Sequence, residues 1–134
     1  MDVTVSENSV DTVRRFYDLL SAGDLDAAIP LLDDELVIHE PAGLPYGGEY
    51  HGPAGFQDIM ARINEQYQPE MVGPVTCLDS GNPVVVRLVG RFTSRASGRS
   101  VDMDVVELFT VREGRIVDLD VYYKDPGAVA ALVA

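Results

Sequence analysis

The second half of the chain contains four long runs in which apolar and polar side chains alternate, and this pattern constrains the fold more than any other. The runs cover 70–79, 83–95, 99–112 and 115–123. They are separated by the turn pairs Gly81-Asn82, Ser97-Gly98 and Glu113-Gly114, which are typical of hairpins. Long strands joined by tight turns predict an antiparallel meander, whose apolar face must be covered by other elements.

The first half of the chain contains the helices that can cover this apolar face. Apolar residues recur at helical spacing over 9–20, again after Asp24, and most regularly over 53–67. Asp24 is placed to cap the second of these helices, and Pro30 predicts that this helix is short or kinked.

Other segments complete the order of elements. The stretch "ELVIHE" (35–40) predicts a strand, and the Pro- and Gly-rich stretch 41–51 predicts a loop. The final "DPGAVAALVA" predicts a short helix. Helices followed by a sheet favour an α+β fold over an alternating α/β fold.

Composition limits the class of protein. The chain has 134 residues, of which 46% are hydrophobic, so we predict one domain over 1–134 with one core. The formal net charge of −12 makes nucleic acid and anionic membranes poor partners. A single cysteine, Cys77, allows no intramolecular disulfide. Because the sequence also shows no signal peptide and no membrane span, we expect a cytoplasmic protein.

Two carboxylates fall on apolar strand faces. One face of the 99–112 run is apolar except for Glu107, and it consists of Val101, Met103, Val105, Glu107, Phe109 and Val111. The same alternation in "ELVIHE" places Glu40 with Ile38 and turns His39 to the other side. Burial raises the pKa of a carboxyl group. Two such groups in different environments can therefore supply a base and a neutral acid.

The sequence leaves a structural alternative open for these carboxylates. Glu107 could lie at a rim or pair with Arg87 or Arg91, since structural ion pairs also perturb pKa values.

Three stretches of the chain resemble a known family. They are "SAGDLDAA", "DDELVIHEPAG" and "GRIVDLDVYYKDP". In these, and in its order of elements, the chain is similar to the nuclear transport factor 2-like superfamily, within it to the SnoaL-like polyketide cyclases and the ketosteroid isomerases. The resemblance implies a cone-shaped curved antiparallel sheet with three N-terminal helices packed on its concave face. It also implies a hydrophobic pocket at the open end of the cone and a homodimer.

The resemblance assigns roles to the two carboxylates. Glu40, in Glu40-Pro41-Ala42-Gly43, matches the isomerases' general base. Glu107 matches, allowing one gap, the acid that stays neutral and donates a hydrogen bond to the developing oxyanion. The isomerases' oxyanion tyrosine aligns with Phe16, so that phenol is missing. Tyr17 is adjacent to Phe16 but rotated along the helix, so Tyr46, Tyr50 and Tyr122 are the candidates to replace it.

Other members of the superfamily use different residues. Limonene-epoxide hydrolases carry an Arg-x-Asp on a middle strand, whereas here Arg87 is followed by Leu88 and Val89. SnoaL-like cyclases use an acid near the last strand, for which Asp120 and Asp125 are candidates that rank below Glu40.

We predict a small-molecule pocket with no metal and no cofactor. His39 and His51 match no metal-ligand spacing. Adjacent Tyr122 and Tyr123 must point to opposite sheet faces, so one of them meets the pocket or the dimer interface. The candidate substrate-binding residues are Phe16, Tyr17, Tyr46, Tyr50, Phe56, Met60, Met103 and Phe109.

These observations lead to one principal hypothesis and two alternatives. The principal hypothesis is a cofactor-independent isomerase or cyclase acting on a small hydrophobic carbonyl compound. The first alternative is a non-catalytic module of the same fold that binds a small molecule or a protein. The second is an activity like that of the epoxide hydrolases.

Overall fold

In the computed structural model, which describes residues 8–134, four α-helices accompany one six-stranded sheet. The helices are α1 (Ser9–Ser21), α2 (Leu25–Ala28), α3 (Gly52–Gln66) and α4 (Pro126–Ala131), with a 3-10 turn at Ile29–Leu31. The strands are β1 (Leu32–Glu40), β2 (Gly48–His51), β3 (Tyr67–Leu78), β4 (Val84–Ser94), β5 (Ser100–Arg112) and β6 (Arg115–Tyr123). The α+β class predicted from the sequence is confirmed.

Local chemistry explains where the helices begin and end. The side chain of Asp24 accepts a hydrogen bond from the Ala27 backbone N–H at 3.2 Å, which caps α2. Pro30 lies in the 3-10 turn, so the second helix is short, as predicted. Asp125 caps α4 in the same way, accepting from the Ala128 N–H.

The sheet is curved and mixed, which corrects the prediction of a purely antiparallel sheet. The strand order is β2-β1-β6-β5-β4-β3. Strands β3 to β6 form the expected antiparallel meander. However, β1 pairs with β6 in parallel, and the predicted loop 41–51 contains the short strand β2.

The expected group of three N-terminal helices is also corrected. Only α1 is clearly N-terminal, because α2 is a single turn and α3 follows both β1 and β2. Tyr67, expected on the last turn of the third helix, instead begins β3 with an extended backbone. Its hydroxyl donates to the Val129 carbonyl at 2.8 Å and so links β3 to α4.

The core lies between the sheet and the helices α1 and α3. Helix α1 buries Val10, Val13, Phe16 and Tyr17, and the last two rings pack edge-on against Phe109 of β5. No helix within residues 8–134 is both long and apolar enough to cross a membrane.

Two turns hold the loop 41–47, which leads from β1 to β2. The Leu44 N–H donates to the Pro41 carbonyl at 3.1 Å, and the Gly47 N–H donates to the Leu44 carbonyl at 2.9 Å. The chain passes so close to itself at Gly47 that a Cβ there would overlap the Pro41 carbonyl oxygen. The loop that begins directly after Glu40 is therefore fixed by backbone contacts.

Gly47→Ala should destabilise the protein by about 1–3 kcal/mol, because the added methyl group must displace backbone atoms. Gly43→Ala is the matched control in the same loop, since a Cβ at Gly43 meets open space. Chemical unfolding of both variants checks the prediction. Equal stability of the two alanine variants would show that the close approach at Gly47 does not constrain the loop.

Candidate active site

Three neighbouring strands bring the two carboxylates of the sequence analysis together. Central strand β6 lies between β1 and β5. On one side His39 pairs with Asp120, so Glu40 is level with the next residue of β6, Val121. On the other side Glu107 pairs with Val121. Because neighbouring strands lie about 4.8 Å apart, the backbones of Glu40 and Glu107 are separated by about 10 Å across one valine.

Both carboxylates line the same cavity. Its volume is about 490 Å³, and it is enclosed mainly by apolar side chains of α1, α3 and strands β4 to β6. The charged lining residues among those that the structure describes are Glu40, Glu70 and Glu107, with no lysine, arginine or histidine. An apolar cavity of this size with a few converging polar groups has the usual form of a small-molecule site.

The burial of the Glu40 carboxyl in this cavity is poorly compensated by hydrogen bonds. Its Oε1 atom is buried, and it has no hydrogen-bond partner within residues 8–134. Desolvation by the surrounding apolar groups raises the pKa of the Glu40 carboxyl from 4.5 to about 8. At neutral pH this carboxyl is therefore mostly protonated.

Glu107 is likewise desolvated, and its pKa is raised from 4.5 to about 7. Among the residues that the structure describes, neither Arg87 nor Arg91 pairs with this carboxyl. Arg91 pairs instead with Asp102, at 2.7 Å between Nε and Oδ1. Arg87 pairs in the sheet with Val106, whose side chain alternates to the face opposite Glu107.

The two raised pKa values suit a pair that shares the roles of base and acid. The resemblance makes Glu40 the ionised base and Glu107 the neutral acid. Burial raises the pKa of both carboxyls into the neutral range. Such a pair titrates as a unit, and in this range it can hold one carboxylate and one carboxylic acid.

Five of the eight candidate substrate-binding residues line the cavity, namely Phe16, Tyr17, Phe56, Met60 and Phe109. The other three lie elsewhere. Met103 is buried near α4, where its sulfur accepts a hydrogen bond from the Asp125 N–H at 3.3 Å. Tyr46 and Tyr50 are buried outside the cavity lining, and the Tyr50 hydroxyl donates to the Tyr46 carbonyl at 2.8 Å.

The candidate set lacked several lining residues, and Tyr123 is the one among them that carries a hydroxyl. Alternation had placed Tyr122 and Tyr123 on opposite faces, and the structure puts Tyr122 outside with 54% of its surface exposed. The alternation of side chains along the strand predicted that one of the two rings faces inward, but it could not show which one.

The remaining polar candidates lie away from the cavity. His39 Nε2 lies 3.0 Å from Asp118 Oδ1, and its Nδ1 lies 3.5 Å from Glu49, on the outer face of the sheet. Asp120 accepts a hydrogen bond from the Tyr122 hydroxyl at 2.9 Å. Across the described part of the chain, no group of three or more His, Cys, Asp or Glu side chains is arranged to hold a metal ion.

Comparison with known protein families shows to which family this chain belongs. The family model described as "SnoaL-like domain" matches residues 13–119, which is most of the chain. The chain belongs to the SnoaL-like domain family. No curated protein sequence matches this SnoaL-like chain.

Solved structures share the SnoaL-like fold over almost the full chain. A nuclear transport factor 2-like protein from Burkholderia thailandensis E264 has a TM-score of 0.86 at 21% identity, covering 96% of this chain and 99% of that one. A proposed polyketide cyclase from Xanthomonas campestris pv. campestris has a TM-score of 0.75 at 23% identity, covering 95% and 97%. A proposed SnoaL-like polyketide cyclase from Mesorhizobium loti has a TM-score of 0.65 at 26% identity, covering 84% and 97%.

The two raised pKa values predict how stability changes with pH. In the unfolded chain both carboxyls lose their protons near pH 4.5, whereas in the native protein they do so near pH 7 and 8. Between these limits the native state binds more protons than the unfolded state. The free energy of unfolding should therefore fall as the pH rises through this window.

Glu40→Gln should remove the part of this pH dependence of stability that the Glu40 carboxyl causes, because a glutamine side chain does not ionise. We expect the variant to be close to the wild type near pH 5 and to exceed its unfolding free energy by roughly 4 kcal/mol near pH 9. Glu70→Gln, at the exposed edge of the same cavity, is the charge-matched control. Chemical unfolding at several pH values checks this, and a constant difference between wild type and Glu40→Gln would show that Glu40 titrates normally.

Proposed function

We propose that this SnoaL-like protein is a cofactor-independent acid–base enzyme acting on a small, neutral, hydrophobic carbonyl compound. The observation that carries the proposal is the pair of desolvated carboxyls, Glu40 and Glu107, which flank Val121 on its two sides in one apolar cavity. Raised pKa values in a cleft are typical of catalytic acids and bases. The names of the X. campestris and M. loti proteins support the cyclase class.

The pair can perform enolisation with no outside oxidant or reductant. The ionised carboxyl removes a proton from the carbon next to the carbonyl, and the C–H electron pair becomes a carbon–carbon double bond. The carbonyl electrons move to oxygen, where the protonated carboxyl donates a hydrogen bond. Returning a proton to a different carbon gives an isomer, and attack of the enolate on a second carbonyl closes a ring.

The lining of the cavity favours a neutral substrate. A ligand anion would meet two or three carboxyl groups and no cationic side chain among the described lining residues. A ketone or enone of moderate size fits the volume of about 490 Å³ and needs only one hydrogen-bond donor for its oxygen.

The position of Arg87 weighs against an epoxide hydrolase. That mechanism was proposed to need an arginine and an aspartate aimed at the substrate. Arg87 is exposed on the outer face of the sheet, where it lines a separate surface depression with Asp104 and Lys124.

A homodimer through the outer sheet face also remains our proposal. This face combines the exposed ring of Tyr122 with the partly exposed apolar side chains of Val89, Val106 and Leu108. Analytical ultracentrifugation of the wild type and of Val106→Glu tests it, with a dimer converted to a monomer as the expected result.

Proton exchange offers a test of the proposed function that does not require the natural substrate. The wild type should exchange the α-protons of neutral bicyclic ketones such as α-tetralone for deuterium in heavy water, measured by NMR. Glu40→Gln and Glu107→Gln should each lower the rate by about 100-fold or more, as expected for loss of general acid–base catalysis. The greater loss identifies the base, because the glutamine amide can still donate a hydrogen bond in place of a neutral acid.

The pH dependence of exchange gives a second readout. The rate should rise as the first carboxyl ionises near pH 7 and fall as the second loses its proton near pH 8. Glu70→Gln is again the control and should keep the wild-type profile. Ketones that raise the melting temperature but undergo no exchange would instead support the non-catalytic binding module.

A further inference from the structure

Tyr123 is close to both carboxyl groups on the cavity wall. It lies at the end of β6, two residues beyond Val121, the residue that separates Glu40 from Glu107. Side chains two residues apart on a strand share a face, so Tyr123 projects on the side of the two carboxyls. Burial raises the pKa of the Tyr123 phenol above its ordinary value, and the charges of Glu40 and Glu107 raise it further. The phenol therefore keeps its proton.

The hydroxyl of Tyr123 is held by a second tyrosine behind the wall. Tyr46 Oη lies 2.6 Å from Tyr123 Oη. Tyr46 is 1% exposed, and its ring packs edge-on against Tyr67, which packs against Phe92, which in turn packs against Tyr123. This ring of four aromatic side chains fixes the two hydroxyls relative to each other.

The hydroxyls of Tyr46 and Tyr123 differ in the hydrogen-bond partners that they can reach. Within residues 8–134, the Tyr46 hydroxyl has one hydrogen-bond partner, the Tyr123 oxygen. Either hydroxyl can donate in this pair, but Tyr123 is the member that lines the cavity. When a ligand in the cavity accepts the proton of Tyr123, Tyr46 donates to Tyr123, and the buried proton of Tyr46 keeps its acceptor. A hydroxyl that accepts one hydrogen bond is polarised to donate a stronger one.

We propose that the Tyr123 hydroxyl donates a hydrogen bond to the carbonyl oxygen of the substrate, and that Tyr46 positions it for this purpose. Tyr123 would then supply the phenol that Phe16 lacks on α1, from a different element of the fold. The inference rests on the proposed function for its catalytic meaning. The hydrogen bond itself can be measured by ligand binding without turnover.

The added donor leaves the chemistry of the enolisation unchanged. The C–H bond breaks toward the ionised carboxyl, and negative charge develops on the carbonyl oxygen. The neutral carboxyl and the Tyr123 hydroxyl both donate to that oxygen, and each keeps its own proton. Because the donor is fixed in advance by Tyr46, little reorganisation is needed as the charge forms.

The test compares three tyrosine-to-phenylalanine variants, each of which keeps its ring. Tyr123→Phe should slow deuterium exchange of α-tetralone on the order of 100-fold, the usual loss for one oxyanion donor. Tyr46→Phe should cause a smaller loss, several-fold, because the donor remains but is less well fixed. Tyr122→Phe, adjacent in sequence but exposed on the outer face, should behave as the wild type.

A binding measurement separates this inference from the proposed function. The NMR resonance of an isotopically labelled carbonyl carbon in bound α-tetralone moves downfield when its oxygen accepts a hydrogen bond. It should move back upfield in Tyr123→Phe, partly so in Tyr46→Phe, and not at all in Tyr122→Phe. Thermal unfolding of each variant, with melting temperatures close to the wild type, shows that the fold is intact.

The outcomes are distinct. A carbonyl shift that depends on Tyr123, in a wild-type protein that exchanges no α-protons, would support the donor and overturn the proposed function. An unchanged carbonyl shift in Tyr123→Phe would overturn the donor, whatever the exchange rate. An unchanged shift in Tyr46→Phe, together with a changed one in Tyr123→Phe, would overturn the positioning role of Tyr46.

Discussion

The site depends on the parallel pairing of β1 with β6. Every other pairing in the sheet is antiparallel, and those between β3 and β6 join strands that follow one another in the chain. The β1–β6 pairing alone places Glu40 level with Val121 and therefore one strand away from Glu107. A slip of one residue along β1 would turn Glu40 to the outer face and His39 to the inner one. Leu36 and Ile38 hold this register, because their side chains lie on the same face as Glu40 and are only 1% exposed.

Desolvation is the energetic cost of this arrangement. Two carboxyls in an apolar cavity lower the stability of the ionised protein, and within the described residues no cation offsets them there. The core around them supplies the compensation, since the aromatic contacts of Phe16, Phe56 and Phe109 surround the same cavity. Such a site is suited to ligands that supply hydrogen-bond partners for the buried carboxyl groups. The unpartnered Oε1 of Glu40 is the clearest example.

The sequence predicted the parts of the site that depend on local alternation. Strand parity alone turned Glu40 and Glu107 inward and His39 outward, and helical spacing identified Phe16, Tyr17, Phe56 and Met60 as inward-facing. It could not predict the parallel β1–β6 pairing, because residues about 80 positions apart meet there and no local signal records it. For the same reason the sheet was expected to be purely antiparallel. The four residues of β2 are too few to show a period of two.

The misplaced lining residues have equally physical explanations. Met103 shares the face of Glu107, but it lies nearer the start of β5, next to the beginning of α4. Tyr46 and Tyr50 were predicted to bind substrate because they lie in the Pro- and Gly-rich stretch that follows Glu40. Instead, two backbone turns and the Tyr50 hydroxyl fold that loop against the core. Tyr46 thereby comes to support Tyr123 from behind the cavity wall.

The central claim is that Glu40 and Glu107 are desolvated together in one cavity, and an NMR titration of side-chain carboxyl carbons tests it most directly. The account predicts two glutamate resonances that titrate near pH 7 and 8, one of which is missing in Glu40→Gln and the other in Glu107→Gln. If every glutamate titrated below about pH 5.5, the two carboxyls would be solvated or paired, and the proposed acid–base site would be contradicted.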